Sequence, residues 1–302
     1  MGVLAGGGRG GKCVAAGRAR ALGSCASVPV RRRVVGVGSG RLYLAVAVGG
    51  FRRYASYRAA TAAGVFTNTV FGLILVYTYL ALWEEKPGLG GYDQAQAVTY
   101  VWLGQCLYAT LAIQGGGAEK DLMERIRTGE IAVDLYRPVD LQVWWLAGDV
   151  GRALFQMLGR GVVPFVFGWL FFPMALPTEV TVWAAFAVTL LLATVVSFAI
   201  RYLAALSVFW LMDGMGVGQV LMITGVFFSG MVLPLNAFPG VYGDVVRVLP
   251  WAAQIQMPAD VLMGEAEPLG AFAFQAAWAV ALLALGRLVQ SAATRRVVVQ
   301  GG

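Results

Sequence analysis

The sequence predicts an all-α integral membrane protein with six transmembrane helices, and three observations carry that prediction. Of 302 residues, 59% are hydrophobic and only 13% charged. The mean hydropathy is +0.70. The apolar residues gather in runs of about 20 with charges at their ends, the length a helix needs to cross a hydrocarbon core of about 30 Å. A soluble chain of this size needs a polar coat that so few charges cannot supply.

Residues 1–40 form the first region, rich in Gly, Ala and Arg. They hold Arg9, Lys12, Arg18, Arg20, Arg31, Arg32 and Arg33 and no acid, and they lack the apolar content to offset chain entropy. A disordered basic tail is expected, and it accounts for the whole net charge of +7. With the remainder balanced, a general nucleic-acid-binding surface is not supported. No apolar core of signal-peptide length follows the first charges. Gly6, Gly11 and Lys12 imitate a phosphate loop, but Cys13 replaces the magnesium-binding hydroxyl and no strand can precede it. The tail reads as an over-long gene start, with the native chain expected to begin near Val35 or Val37.

Residues 41–302 are then the transmembrane domain. Leu42 to Arg58 mixes aliphatics, aromatics and arginines as an amino-terminal interfacial helix does. Six spans follow at roughly Ala59–Trp83, Ala95–Gly116, Ala153–Phe172, Val180–Ile200, Met215–Leu235 and Leu269–Val289. Arginine at a helix centre is costly, so Arg160 is expected to snorkel above Arg152 and Arg201 to end the fourth span. Tyr202 to Met212 would prolong that helix or pack as a connector.

The basic residues set an orientation by the retention of positive flanks inside. With the amino end inside, the inner sides carry Arg41, Arg52, Arg53, Arg58, Lys120, Arg125, Arg127, Arg137, Arg152, Arg160, Arg201, Arg287, Arg295 and Arg296. The outer sides carry Lys86 and Arg247. Both termini are then cytoplasmic.

Two connections carry functional information. Inside, EKDLMERIR has the charge alternation of a solvated helix extending the second span. Gly129 can end that helix, Glu130 to Tyr136 can form a short second one, and Pro138 stops it. Outside, Pro234, Pro239, Pro250, Pro258 and Pro268 cut the stretch between the fifth and sixth spans into short apolar pieces, as in an outer re-entrant segment.

Candidate reaction chemistry is sparse. Histidine is absent, which removes His-centred triads and most zinc sites. Cys13, Cys25 and Cys106 are scattered without metal or disulfide spacing. No catalytic residue and no metal site are assigned.

The strings IRTGEIAVDLYRPVD and SGMVLPLNAFPG, then LPWAAQIQMPADVLMGE and the terminal RRVVVQGG, together resemble the type-2 ABC exporter permease family across residues 41–302, especially its six-span bacterial multidrug-type branch. The basic tail is foreign to that family, and Ala132, Val133 and Asp134 depart from its usual loop. The resemblance implies a permease subunit in the bacterial cytoplasmic membrane that pairs with a second permease, as homodimer or heterodimer. It also implies that a lipophilic substrate leaves along their interface. This chain would bind no cofactor, with ATP and magnesium on a separate ABC ATP-binding subunit. Arg127, Gly129, Glu130, Leu135, Arg137 and Pro138 fall in the coupling loop, and Pro234, Pro239, Pro250 and Pro258 in the outer segment. Two rival readings share the composition. An intramembrane lipid-modifying enzyme would call for His, clustered acids or a metal. A self-contained secondary transporter would call for buried coupling charges and a tandem repeat.

Overall fold

The computed structural model describes residues 39–297, and among them every regular element is helical. The expectations for residues 1–38 and for the last five residues lie outside that range. In chain order the helices are α1 (Ser39–Ala55), α2 (Arg58–Glu85), α3 (Gln94–Thr110), α4 (Ala118–Thr128), α5 (Ile131–Tyr136), α6 (Leu141–Gln156) and α7 (Val162–Phe171). They continue with α8 (Val180–Leu211), α9 (Gly214–Phe228), α10 (Gly240–Val248), α11 (Gln256–Met263) and α12 (Pro268–Val297). A π-helical turn at Met157–Gly161 joins α6 to α7, so Leu141–Phe171 runs as one rod of 31 residues. Pro164 follows that turn; its ring cannot donate a hydrogen bond and clashes with the carbonyl one helical turn back, the usual setting for a break in helical register.

Among the described residues, four helices can cross a membrane by length and composition: Arg58–Glu85, Leu141–Phe171, Val180–Leu211 and Pro268–Arg295. Their outer faces are apolar and uncovered, with Phe66, Ile74, Tyr77, Trp169 and Phe171 all more than half exposed, as lipid-facing surfaces are. This is an all-α, multi-span membrane protein.

Helix ends depart from expectation for identifiable reasons. The helix expected as the second span stops at Thr110, not Gly116, because Ala112, Gly115 and Gly116 take positive φ and turn the chain. The helix after it is therefore separate, and it buries Glu119, Leu122, Met123 and Ile126 against α8; it is not a solvated extension of α3. The fifth ends at Phe228, before Gly230 at φ +89°. The third begins earlier, at Leu141, where Asp140 caps it by accepting from the Val143 amide at 2.9 Å. The helix of the fourth continues past Arg201 to Leu211 and stops at Met212, φ +54°, the prolongation expected of the stretch after Arg201. The sixth runs to Val297.

Two helices form the centre. In α3, 13 of 17 residues are buried, after a capping box in which Asp93 and Gln96 satisfy each other's amides at 2.7 and 2.8 Å. In α8 the central stretch is buried on nearly every side. By contrast α2 buries one stripe, Gly64, Asn68, Gly72, Val76, Tyr79 and Trp83, at intervals of three and four. Trp102 of α3 lies between Gly72 and Gly168, and a Cβ on either would stand 2.5 and 2.2 Å from its ring, so small residues set that close packing. Helix α1 lies equally close on α6, where a Cβ at Gly151 would meet the Ala47 carbonyl.

Candidate functional site

The α4–α5 connection is held by one buried carboxylate. Gly129, at φ +81°, is the left-handed cap that ends α4. The chain then doubles back so that Asp134 of α5 faces α4. Arg125 grips Asp134 with two bonds, 2.6 Å from Nε and 3.2 Å from an η nitrogen, and Arg137 adds a third contact at 3.3 Å. Arg137 also lies over the Trp144 ring, 5.1 Å from its centroid. Helix α5 ends at Tyr136, and Arg137 takes the extended backbone that a following proline favours. Leu122, Met123, Ile126 and Ile131 pack this pair of helices on the far end of α8. The outward side shows Arg127, which pairs with Glu124 at 2.7 and 2.9 Å. It also shows Glu130 and Pro138, and the apolar Val133 and Tyr136, the last 89% exposed; Leu135 is half-buried.

Asp134 was singled out in the sequence only as a departure from the family's usual loop, and Arg125 only as an inner-flank charge. A partner nine residues away lies outside the spacings of three and four that a helical reading tests.

Behind this connection lies a second group, in an apolar setting. Glu119, Asp149, Arg152 and Arg201 come from α4, α6 and α8, and their side chains are at most 3% exposed. Arg152 Nε donates to Asp149 at 2.7 Å, and Arg201 reaches Asp149 at 2.6 Å and Glu119 at 2.8 Å. Glu119 also accepts from the Gly116 and Gly117 amides. The spare donors of Arg152 go to the carbonyls of Ala109 and Thr110, 3.1 and 2.9 Å away, and Ser197 donates to the carbonyl of Leu111. Those carbonyls are the orphan acceptors left where α3 stops. Two anions and two cations thus balance, and each carboxylate oxygen accepts at least one hydrogen bond. Arg152 is thus a buried ion-pair residue rather than an interfacial flank, and Arg201 is a buried ion-pair residue within α8.

The outer connection closes through uncharged donors around Asp260. Pro234 and Pro239 flank a short 3-10 turn, Pro250 opens another, and Pro258 sits in the first turn of α11, where its missing N–H costs nothing. Tyr92 donates to Asp260, and Gln256 Nε2 donates to both Asp260 oxygens at 2.9 and 3.0 Å and to the Tyr92 hydroxyl at 2.7 Å. Gln256 Oε1 in turn accepts from the Leu235 amide at 2.7 Å and from Tyr100 at 3.1 Å. Burial pushes the Asp260 carboxyl up to about 6 against the pull of the hydrogen bonds from Tyr92, Gln256 and Asn236. Burial, followed by the Asp260 charge, raises Tyr92 as well.

An apolar groove of about 770 Å³ runs between α8, α9 and α12, with Leu203, Val217, Val220, Trp251 and Leu282 in its wall. Among the described residues no three His, Cys, Asp or Glu side chains gather where a metal could be held.

No curated protein and no solved structure matches the chain. A family model does: ABC-2 family transporter protein, over residues 65–301. The match starts inside α2 and takes in the α4–α5 pair, the buried charges, the groove and the outer connection. On that coverage and on its apolar helices, the chain belongs to the ABC-2 family of membrane transporter proteins, transport components and not enzymes.

Proposed function

We propose that this chain is the permease subunit of an ATP-driven exporter, that α4 and α5 dock on a separate ATP-binding subunit, and that a second permease completes the pathway. In this reading α2, α3, α6–α7, α8, α9 and α12 are six spans, with α3 and α9 completed by the irregular chain beyond their ends. Helix α1 lies in the inner interface, both termini are cytosolic, and residues 229–267 form the re-entrant outer cover. The excess of Arg and Lys on the α4–α5 side supports that orientation in the bacterial cytoplasmic membrane.

The observation that carries the proposal is the α4–α5 pair. It is braced within by Asp134 and on α8 by apolar contacts, yet it offers outward Glu130, Val133 and Tyr136, each more than half exposed. A rigid element with an exposed aromatic at its tip suits the anchor of a protein interface. Its seat on the far end of α8 gives motion at the dock a path into the spans. ATP and magnesium would be bound by the docked subunit, and the apolar groove would suit a lipophilic substrate.

The buried ion pairs do not favour a self-contained ion-coupled transporter, because the two carboxylates are already taken up by two guanidinium groups and backbone amides. Two measurements test the exporter reading. A cysteine at Asp93 should react with an impermeant reagent in intact cells and one at Gly129 should not; the reverse pattern removes the dock from the ATPase side. Purification from native membranes should bring down an ATP-binding subunit with the wild-type chain and lose it with Tyr136→Ala. Equal recovery with both would sink the dock.

A further inference from the structure

We infer that a polar cavity between the start of α2, the α3–α4 turn and α6 binds the phosphate of an anionic lipid headgroup. The cavity is about 530 Å³, and its wall carries four cationic side chains, Arg53, Lys120, Arg152 and Arg160, and no carboxylate. Two of the four are already neutralised, Arg53 by Asp121 and Arg152 by Asp149. Among the described residues Lys120 and Arg160 have no ion-pair or hydrogen-bond partner, and the Nε of Arg160 is buried without an acceptor.

Arg160 is held there by two features of the backbone. It lies within the π-helical turn, which shifts the register of the rod and so changes the face to which residue 160 belongs. Its guanidinium then crosses α2 at Gly64, where a Cβ would stand 2.2 Å from Nε; any other residue would displace it. An unmatched arginine among spanning helices is costly unless an anion meets it. The guanidinium and ammonium together offer the donors that a phosphate accepts.

Lipid is favoured over a soluble phosphate by what adjoins the cavity. A groove of about 700 Å³ shares Thr61 and Phe155 with it and continues along Ala62, Val65 and Phe66 of α2. The head of a lipid in the cavity would therefore have a place for its acyl chain. The cavity also meets the first turns of α2, at the end of a membrane-crossing helix, where headgroups lie. This inference rests on membrane embedding and not on export.

The test measures lipid retained by the full-length chain after purification into detergent from membranes containing phosphatidylglycerol and phosphatidylethanolamine, quantified by mass spectrometry. Wild-type protein should retain phosphatidylglycerol selectively. Arg160→Gln should lower that retention roughly tenfold, the loss of a charge-assisted contact. Lys120→Gln, at an exposed position that cannot unfold the bundle, should lower it less, and Arg127→Gln, outside the cavity, should leave it unchanged. Retention equal in wild type and both cavity variants overturns the site. Thermal stabilisation of delipidated protein by inorganic phosphate alone, as large as by phosphatidylglycerol and equally dependent on Arg160, overturns the lipid source in favour of a soluble phosphate.

Discussion

The two buried polar centres of this chain solve the same problem with different chemistry. Near α4, four full charges from three helices neutralise one another and take up the loose carbonyls at the end of α3. Around Asp260, one carboxylate is held by the Tyr92 phenol and the Gln256 amide, with Asn236 donating to the phenol in turn. Among buried groups, a salt-bridged cluster is strongly destabilised by removing one member, because its partner stays charged in a poor medium. A carboxylate in neutral surroundings can instead take up a proton. The first centre therefore locks, and the second titrates.

The sharpest way to break this contrast is Asp149→Leu, which leaves Arg152 and Arg201 facing each other with only Glu119 between them. The expected loss is about 3 to 5 kcal/mol, enough to abolish a monodisperse species in detergent. A thermal midpoint within a degree or so of the parent would show that the four charges do not act as a unit.

The pH dependence sharpens the contrast from the other side. The Asp260 carboxyl is raised from 3.8 to about 6, so the folded outer segment holds its proton more tightly than the unfolded chain does. Stability from this group is fully present below about 4 and is lost as pH rises through about 6, by at most about 3 kcal/mol. Hydrogen exchange, corrected for intrinsic rate, should show the Glu265 and Ala266 amides, which donate to the Asp260 carbonyl, losing protection between pH 4.5 and 7. The Gly116 and Gly117 amides at the ionic centre should not follow, and Asp260→Asn should remove the dependence.

Tyr92→Phe should cost less, about 1 to 3 kcal/mol. It deletes the donor to Asp260 and leaves the side-chain amides of Asn236 and Gln256 without that acceptor. The effect should concentrate in protease sensitivity at Arg247. Unchanged cleavage would mean that the outer connection is held by its apolar contacts alone.

The helical, membrane-embedded character of this chain was legible in the sequence because it depends on long apolar runs, which a local pattern reports. The ends of the helices were not. Arg152 and Arg201 looked like flanking charges, since a positive residue in an apolar run is most simply placed at a boundary. Arg152 has Asp149 three residues before it on the same helix, but the partners of Arg201 lie 52 and 82 residues away, and only the fold brings the group together. The end of α3 was missed for the same reason: nothing local says that Arg152 and Ser197 will accept responsibility for its last carbonyls. At the α4–α5 pair, Gly129 and Pro138 could be read as stops from their own conformational limits. The buried role of Asp134 could not.

The smallest effect on folding and the largest separation from it is expected at Glu130. Its side chain is 64% exposed, and its contact with Arg125 is a loose 3.8 Å, while Asp134 holds the same arginine from the buried side at 2.6 Å. An exposed pair of that kind contributes well under about 1 kcal/mol, so Glu130→Ala should leave detergent stability and membrane insertion unchanged. Arg137→Ala is a different experiment, because Arg137 also braces Asp134 and covers Trp144, and it should loosen the pair itself. If α4 and α5 form the dock, Glu130→Ala with Tyr136→Ala should keep the fold of both buried centres and lose efflux, together with stimulation of the partner's ATP hydrolysis by transport substrate. Parental efflux in that double variant would leave the α4–α5 pair as a brace for α8 and nothing more.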